Sequence, residues 1–245
     1  MAAIVNVYNC FMSPLALVTG AAHRLGKVFT LTLAHQGFDI ILHYHQSSNE
    51  ALQTQAEIES VGSDVILLQA DLTDPAQIRS LVSHLNTLDV LVNSAAFMPS
   101  GNVDLLTLEN WDTSLDLNLR APFLLAQECA KKMNAGGLIV NITDVGAQKA
   151  WSRYPSYTVS KAALESLTKI LARALAPQIR VNAIAPGFVL QSDIVSDEEW
   201  QRLINRIPLK RPARTEEIAS ALEFLLKNEY ITGQTIVVDG GYSLI

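Results

Sequence analysis

Seven short apolar segments recur along the chain, and each is followed by a longer segment with helical periodicity or by a turn. We predict strands at residues 15–18, 40–44, 65–69, 90–92, 138–142, 180–184 and 235–238. A strand that is apolar at every position, rather than at every second one, is buried on both faces. Such strands alternating with helices predict an α/β fold, in which one doubly wound parallel sheet of about seven strands carries helices on both faces.

Helix boundaries can be predicted for the first three connections. The first two helices are predicted at residues 25–36 and 49–61, and Asn49 is a candidate cap for the second. Asp74 followed by Pro75 predicts the start of the third helix, since proline is favoured at the first helical position.

Length and composition limit what else the chain can be. With 245 residues, 49% of them hydrophobic, we predict a single domain over residues 1–245 with one sizeable core. A net charge of −6 without a run of Lys or Arg argues against nucleic acid or an anionic membrane as a partner. Cys10 and Cys129 lack the spacing of a disulfide framework or zinc site, and no signal peptide or membrane helix is indicated. We therefore expect a cytoplasmic protein without a bound metal.

Ligands of a doubly wound sheet bind beyond the carboxyl ends of its strands. The first strand is followed by residues 19–26, in which Gly20 permits a tight turn and Gly26 permits close packing at the helix start. The N–H groups of such a helix start can hold a pyrophosphate. An ordinary turn between a strand and a helix explains two glycines equally well.

The end of the second strand bears on cofactor choice. Residues 43–48 contain no Asp or Glu, whereas a carboxylate there would bind a ribose 2′-hydroxyl and repel a 2′-phosphate. Together with Arg24, His45 and Ser47 as possible donors, this favours NADP(H) over NAD(H). The alternative is that His43 and His45 are ordinary strand residues.

Three further strand ends add candidate ligand contacts. Asp71 and Leu72 follow the third strand, where Asp71 either binds an adenine edge or only starts a loop. The small residues 93–95 would let a cofactor approach the backbone, and Phe97 is either an aromatic face near the nicotinamide or a core residue. Residues 185–188, which include Pro186 and Gly187, are expected to form a rigid turn after the sixth strand, which could shape the nicotinamide pocket.

The sequence Tyr157-Thr158-Val159-Ser160-Lys161 opens the longest helical pattern. Residues four apart share a helix face, so the Tyr157 phenol and the Lys161 ammonium should point in the same direction. A neighbouring cation lowers the pKa of a phenol and makes it a better proton donor and acceptor near neutral pH. Asp144, thirteen residues before Tyr157 at a strand end, would complete a proton relay. Alone, the five residues could be a solvated helix turn.

Together these motifs resemble the short-chain dehydrogenase/reductase family over residues 15–244, with a Rossmann-type fold. The resemblance implies that Tyr157 transfers a proton, that Lys161 tunes it and binds the nicotinamide ribose, and that Asn118 holds a water in the relay. It also implies the cofactor contacts, which are Gly20, His23, Arg24, Leu25, His45, Gln46, Ser47, Asp71, Leu72, Asn93, Ser94, Ala95, Lys161, Pro186 and Gly187.

Within this family the chain resembles the pteridine reductase branch, which includes dihydromonapterin and alternative dihydrofolate reductases. Asp144 stands where most members have serine, and Arg24 where most have glycine. The branch implies that NADPH reduces a ring C=N bond and that Asp144 works with Tyr157 to protonate the ring nitrogen. Arg24 and Phe97 are then also substrate contacts. Two departures are Gln46, where an arginine often contacts the 2′-phosphate, and Ala95, where a serine contacts cofactor and pterin.

A substrate loop is expected at about residues 188–207. It contains one tryptophan and four acids, which are Trp200, Asp193, Asp197, Glu198 and Glu199. The acids would disfavour a glutamylated folate, so an unconjugated dihydropterin is preferred and dihydrofolate stays open. The alternatives are a carbonyl or alcohol reductase of keto-acyl or sugar type, and a non-catalytic nucleotide-sensing scaffold. The family resemblance also implies a homotetramer, and residues 1–13 are an N-terminal extension.

Overall fold

The computed structural model describes residues 13–192 and 195–245, and a seven-stranded sheet lies at the centre of this part of the chain. The strands are β1 (Leu15–Val18), β2 (Asp39–Tyr44), β3 (Val65–Gln69), β4 (Leu88–Asn93), β5 (Met133–Ile142), β6 (Ile179–Pro186) and β7 (Thr235–Val238). Their order is β3-β2-β1-β4-β5-β6-β7, and all neighbouring strands are parallel. The predicted doubly wound Rossmann-type fold is confirmed.

Helices cover both faces of this sheet. They are α1 (Arg24–His35), α2 (Ser48–Val61), α3 (Pro75–Ser83), α4 (Leu108–Leu115), α5 (Ala121–Cys129), α6 (Gly146–Lys149), α7 (Pro155–Leu175), α8 (Asp197–Arg206) and α9 (Thr215–Lys227). A π-helical turn at Asp116–Arg120 joins α4 to α5, and a 3₁₀ turn at Tyr242–Leu244 ends the chain. None of the helices in the described residues has the length and apolarity needed to cross a membrane.

Two apolar layers enclose the sheet and explain why its strands are continuously hydrophobic. Ala16 and Val18 of β1 belong to the layer under α1, α2 and α9, whereas Leu15 and Leu17 belong to the layer under α3, α5 and α7. Alternate side chains of a strand point to opposite faces, so both sets must be apolar. All four residues are at most 2% exposed.

The predicted strands 15–18, 65–69 and 235–238 have the observed bounds, and the other four are longer than predicted. The side chain of Asp74 accepts a hydrogen bond from the N–H of Ala76, which confirms it as the cap of α3. The expectation for Asn49 is wrong, because α2 begins one residue earlier and its N-cap position is Ser47.

A few predictions fall on residues that are not described. Residues 1–12, which include Cys10 and nearly all of the predicted N-terminal extension, lie outside the described part of the chain. Asp193, one of the acids of the predicted substrate loop, also lies outside it.

Candidate active site

The turn after β1 is packed tightly against the end of β4. Gly20 has a φ of +62°, and a Cβ added there would lie 2.9 Å from the Ala95 Cα. A Cβ on Gly26 would overlap the carbonyl oxygen of Gly20. The hydroxyl of Thr19 accepts hydrogen bonds from the N–H groups of Ser94 at 3.0 Å and Ala95 at 3.1 Å. Both glycines are therefore required by close backbone approach, as the sequence predicted.

Helix α1 starts directly from this turn. His23 occupies the N-cap position and, within the described part of the chain, makes no side-chain capping bond to the first helical turn. Arg24 has a φ of +51°, a left-handed conformation that costs energy for a residue with a Cβ. Its guanidinium donates to the carbonyl oxygens of Leu190 at 3.1 Å and Gln191 at 3.3 Å. Arg24 thus joins the turn after β1 to the segment after β6.

The predicted 2′-phosphate contacts lie at the start of α2. His45 and Gln46 are exposed, and Ser47 is half-buried at the N-cap position of α2. The side-chain amide of Gln69 donates to the carbonyl oxygen of His45 at 2.8 Å and fixes this turn against β3. The turn therefore presents polar side chains in a segment, residues 43–48, that has no Asp or Glu of its own.

The residues after β3 form a tight turn of their own. One carboxylate oxygen of Asp71 accepts hydrogen bonds from the N–H and the hydroxyl of Thr73, at 2.8 and 2.7 Å. Leu72 is buried in the layer under α3 and α5. Asp71 therefore does start a turn, as one of its two interpretations held, and its contact with adenine stays a prediction.

Asn118 clamps the backbone of Phe97. It lies in the π-helical turn, accepts from the N–H of Phe97 at 2.8 Å and donates to the carbonyl oxygen of Phe97 at 2.8 Å. It also donates to the hydroxyl of Ser160 at 3.0 Å. The Asn118 amide is thus bound to protein groups on both sides, and its predicted contact with a water stays a prediction. Phe97 is only half-buried and is not a fully enclosed core aromatic.

Asp144, Tyr157 and Lys161 meet at the carboxyl end of β5. The Tyr157 hydroxyl donates to one carboxylate oxygen of Asp144 at 2.9 Å, and the other accepts from the N–H of Gly146 at 2.7 Å. The Lys161 ammonium donates to the carbonyl oxygen of Ile142 at 2.7 Å and lies 5.7 Å from the centre of the Tyr157 ring. The helix spacing of Tyr157 and Lys161 and the position of Asp144 at a strand end therefore predicted correctly that the three groups lie together.

Burial dominates the electrostatics of this cluster. It raises the pKa of the Asp144 carboxyl to about 6, although the Gly146 N–H, the Tyr157 hydroxyl and the Lys161 charge favour ionisation. It lowers the pKa of Lys161 to about 8. Burial and the Asp144 charge raise the pKa of Tyr157 above its usual value. The expectation of a lowered tyrosine pKa is wrong in this arrangement, because the phenol is buried and the charged group that it contacts is the Asp144 carboxylate.

With this geometry known, comparison with other proteins identifies the family. A family model described as enoyl-(acyl carrier protein) reductase matches residues 20–243. The chain belongs to the short-chain dehydrogenase/reductase family.

Relatives in this family differ in what they act on. The chain is 36% identical to the 3-oxoacyl-[acyl-carrier-protein] reductase FabG of Staphylococcus aureus, over 94% of this chain and 98% of that one. It is 36% identical to FolM alternative dihydrofolate reductase 1 of Brucella suis, solved in complex with NADP, with a TM-score of 0.89 and coverage of 95% and 96%. The angucycline C-6 ketoreductase LanV, solved with bound NADP, is 29% identical with a TM-score of 0.90 and coverage of 95% and 96%.

In this short-chain dehydrogenase/reductase the turn after β6 also lies at the site. A Cβ on Gly187 would lie 2.8 Å from the Cα of Asp239, so only glycine fits between β6 and β7. The carbonyl oxygen of Pro186 accepts from the N–H of Val145, directly after Asp144, at 3.2 Å. The predicted rigid turn is therefore attached to the loop that carries the carboxyl group.

An aromatic cluster beside this loop was not predicted. The rings of Trp151, Phe188, Trp200 and Tyr242 pack on one another, with centroids 5.0 to 6.5 Å apart in the contacting pairs. The cluster brings together residues from four separate segments, and only Trp200 had been singled out. Sequence spacing carries no signal for such a long-range cluster. It attaches the predicted substrate loop and the end of the chain to the site.

Proposed function

We propose that this protein is an NADPH-dependent reductase of a ring C=N bond in a dihydropteridine. The observation that carries the proposal is the hydrogen bond of 2.9 Å between the Tyr157 hydroxyl and the Asp144 carboxylate. A carboxyl group at this position is suited to protonating a ring nitrogen, and the similarity to an alternative dihydrofolate reductase supports that choice.

The residues at the strand ends fit a dinucleotide. Gly20 and Gly26 let the turn after β1 pack closely on the end of β4 and on the start of α1, and the first turn of α1 offers N–H groups that the His23 side chain does not cap. The absence of a carboxylate from residues 43–48, with His45, Gln46 and Ser47 in place, favours a 2′-phosphate. NADPH supplies the hydride when it is bound.

Proton delivery falls to the chain's own residues. Asp144 is close to half-protonated at a pH of about 6, so it can hold a proton within hydrogen-bonding distance of Tyr157. Tyr157 can pass a proton to the substrate and recover one from Asp144. Lys161 provides positive charge that favours the ionised form of Asp144.

Substrate orientation is assigned to two residues, Phe97 and Arg24. Phe97 is held at its backbone by Asn118, four residues after the end of β4, and its side chain is only half-buried. A flat pterin could stack on such a ring in a near-attack arrangement. Arg24, which already binds carbonyl oxygens at residues 190–191, could bind polar groups of the cofactor and the pterin.

A keto-acyl reductase is the second candidate, because curated relatives with that activity are 36% identical over 94% of the chain. Ketone reduction needs a proton on oxygen, for which the serine usual in the family suffices. The two candidates therefore differ in what Asp144 contributes.

We also propose a homotetramer. Exposed apolar side chains lie on α5 and α7, namely Phe123 at 42%, Val159 at 47% and Ile170 at 61%. Leu244 and Ile245 at the chain end are 85% and 55% exposed. Burial of these surfaces between subunits would remove apolar area from water. Light scattering after size-exclusion chromatography tests this, and a monomeric mass at micromolar concentration would contradict it.

Substitution of Asp144 tests the proposed chemistry. In Asp144→Asn we expect kcat for a dihydropterin to fall about 100-fold or more, the usual contribution of a general acid, while the Kd for NADPH changes less than about twofold. Asp64→Asn is the matched control and should leave both values unchanged, because Asp64 is an exposed carboxylate directly before β3, at the edge of the sheet opposite the site. Equal losses in kcat and NADPH affinity would contradict the role of Asp144.

A further inference from the structure

His43 holds the turn after β1, residues 19–23, from inside the sheet; this segment is called the phosphate turn below. It lies at the end of β2 and is 2% exposed, and both nitrogens of its ring make hydrogen bonds. Its Nδ1 lies 3.2 Å from the N–H of Gly20, and its Nε2 lies 3.0 Å from the carbonyl oxygen of Ala70. The ring therefore joins the turn after β1 to the end of β3.

The backbone of His43 strengthens this connection. Its carbonyl oxygen accepts a hydrogen bond from the N–H of Ala21 at 2.9 Å. Two successive N–H groups of the turn, those of Gly20 and Ala21, are thus bound by one residue. Both groups are therefore bound within the protein and are not free to bind a phosphate.

The charge state of the ring matches these partners. The pKa of His43 is lowered to about 4, mainly by burial; the nearby His45 acts in the same direction, and the Ala70 carbonyl and Asp71 oppose the change. The ring is therefore neutral near pH 7 and has one donor and one acceptor. Since the Gly20 N–H can only donate, Nδ1 is the acceptor and Nε2 carries the proton.

We propose that His43 is a positioning residue for the cofactor, one that sets the phosphate turn against the adenine side of the site. Gly20 and Ala21 belong to the turn assigned to the pyrophosphate, and Ala70 directly precedes Asp71, which is assigned to the adenine. His43 links these two halves without facing the cofactor itself. This inference rests on the proposed binding of NADPH.

Three substitutions separate the two ring contacts. His43→Leu removes both and leaves the Gly20 N–H buried without a partner, whereas His43→Asn keeps an acceptor where Nδ1 stands. His43→Gln keeps a polar group only where Nε2 stands. The matched control is His35→Leu, an exposed histidine on α1.

The measurement is NADPH binding by fluorescence titration without substrate, together with the melting temperature. We expect the Kd for NADPH to rise about tenfold in His43→Leu, because one buried N–H donor loses its partner. In His43→Asn, which keeps an acceptor for that donor, the Kd should change less than about threefold. His43→Gln should resemble His43→Leu, which keeps the test decisive if the leucine variant fails to fold. At saturating NADPH, kcat of the folded variants should stay within about threefold of wild type.

Nitrogen-15 spectra of the labelled ring give an independent readout. The Nε2 of His43 should be protonated and the Nδ1 unprotonated, with no titration between about pH 5.5 and about pH 8, because burial keeps the ring neutral. If a folded His43→Leu variant had the same Kd for NADPH as the wild-type protein, this inference alone would be overturned. Failure of wild-type protein to bind NADPH would instead overturn the proposed cofactor.

Discussion

The left-handed conformation of Arg24 makes a quantitative prediction about stability. Its φ of +51° is a region that favours glycine, and a Cβ there costs roughly 1–2 kcal/mol. Glycine also gains freedom in the unfolded chain, which favours alanine by roughly 0.4–1 kcal/mol. The difference predicts that Arg24→Gly is more stable than Arg24→Ala by about 1 kcal/mol.

Comparing these two variants isolates the backbone effect, because both lose the guanidinium contacts with Leu190 and Gln191. For a chain of this length, about 1 kcal/mol corresponds to a difference in melting temperature of about 2–4 °C. Thermal unfolding followed by circular dichroism at one protein concentration measures it. Gln55 in the middle of α2 is the control, because its helical backbone predicts the reverse order, with alanine more stable than glycine.

Two results would refute this reasoning. Equal melting temperatures for Arg24→Gly and Arg24→Ala would mean that the backbone is not held in the left-handed region. A more stable alanine variant would mean that the unfolded-state entropy outweighs any strain. In either case the position of the Arg24 side chain could not be explained by the turn.

The remaining predictions concern Gly26 at the start of α1, the Asp144 carboxyl and the contact of Asn118 with Phe97. Gly26→Ala should abolish measurable NADPH binding or prevent folding, since its Cβ overlaps the Gly20 carbonyl; wild-type affinity in titration would contradict this. Because the Asp144 pKa rises from 3.8 to about 6 on folding, its stabilising contribution is present below about pH 4 and is lost above about pH 6. Asp144→Asn should therefore raise the melting temperature above pH 6 relative to wild type, and an unchanged value at pH 8 would contradict the burial. The kcat/KM for reduction should likewise fall above about pH 6 in wild type but not in Asp144→Ser. Asn118→Ala should raise the KM for the pterin through a loosened Phe97, and a KM equal to that of wild type would refute the clamp.

The fold was predictable because its strands are buried on both faces and therefore stand out as continuous apolar segments. Gly, Pro or acidic residues stand within two residues of both ends of β1, β3 and β7, and the bounds of these strands agree with the prediction. β5 begins at Met133, five residues before its predicted start, because Met133 pairs with Leu88 of β4 across a register shift. A pairing between distant strands leaves no mark in the local pattern.

The site was predictable as far as local spacing determines it. The i, i+4 rule brought Tyr157 and Lys161 together, and the strand-end rule brought Asp144 to them. The direction of the tyrosine pKa shift was not predictable, because it depends on how deeply the phenol is buried and on which charged group lies nearest to it. The ring contacts of His43 and the contact of Arg24 with residues 190–191 also join distant parts of the chain.

The most direct test of the account is NADPH oxidation by purified protein, with dihydrobiopterin, dihydromonapterin, dihydrofolate and a panel of ketones that includes a 3-ketoacyl thioester. NADH is the cofactor control. We predict turnover of at least one dihydropterin with NADPH, little with NADH, and a loss of that turnover in Asp144→Asn. Turnover confined to ketones, and retained or increased in Asp144→Ser, would contradict the pteridine assignment and favour the keto-acyl alternative.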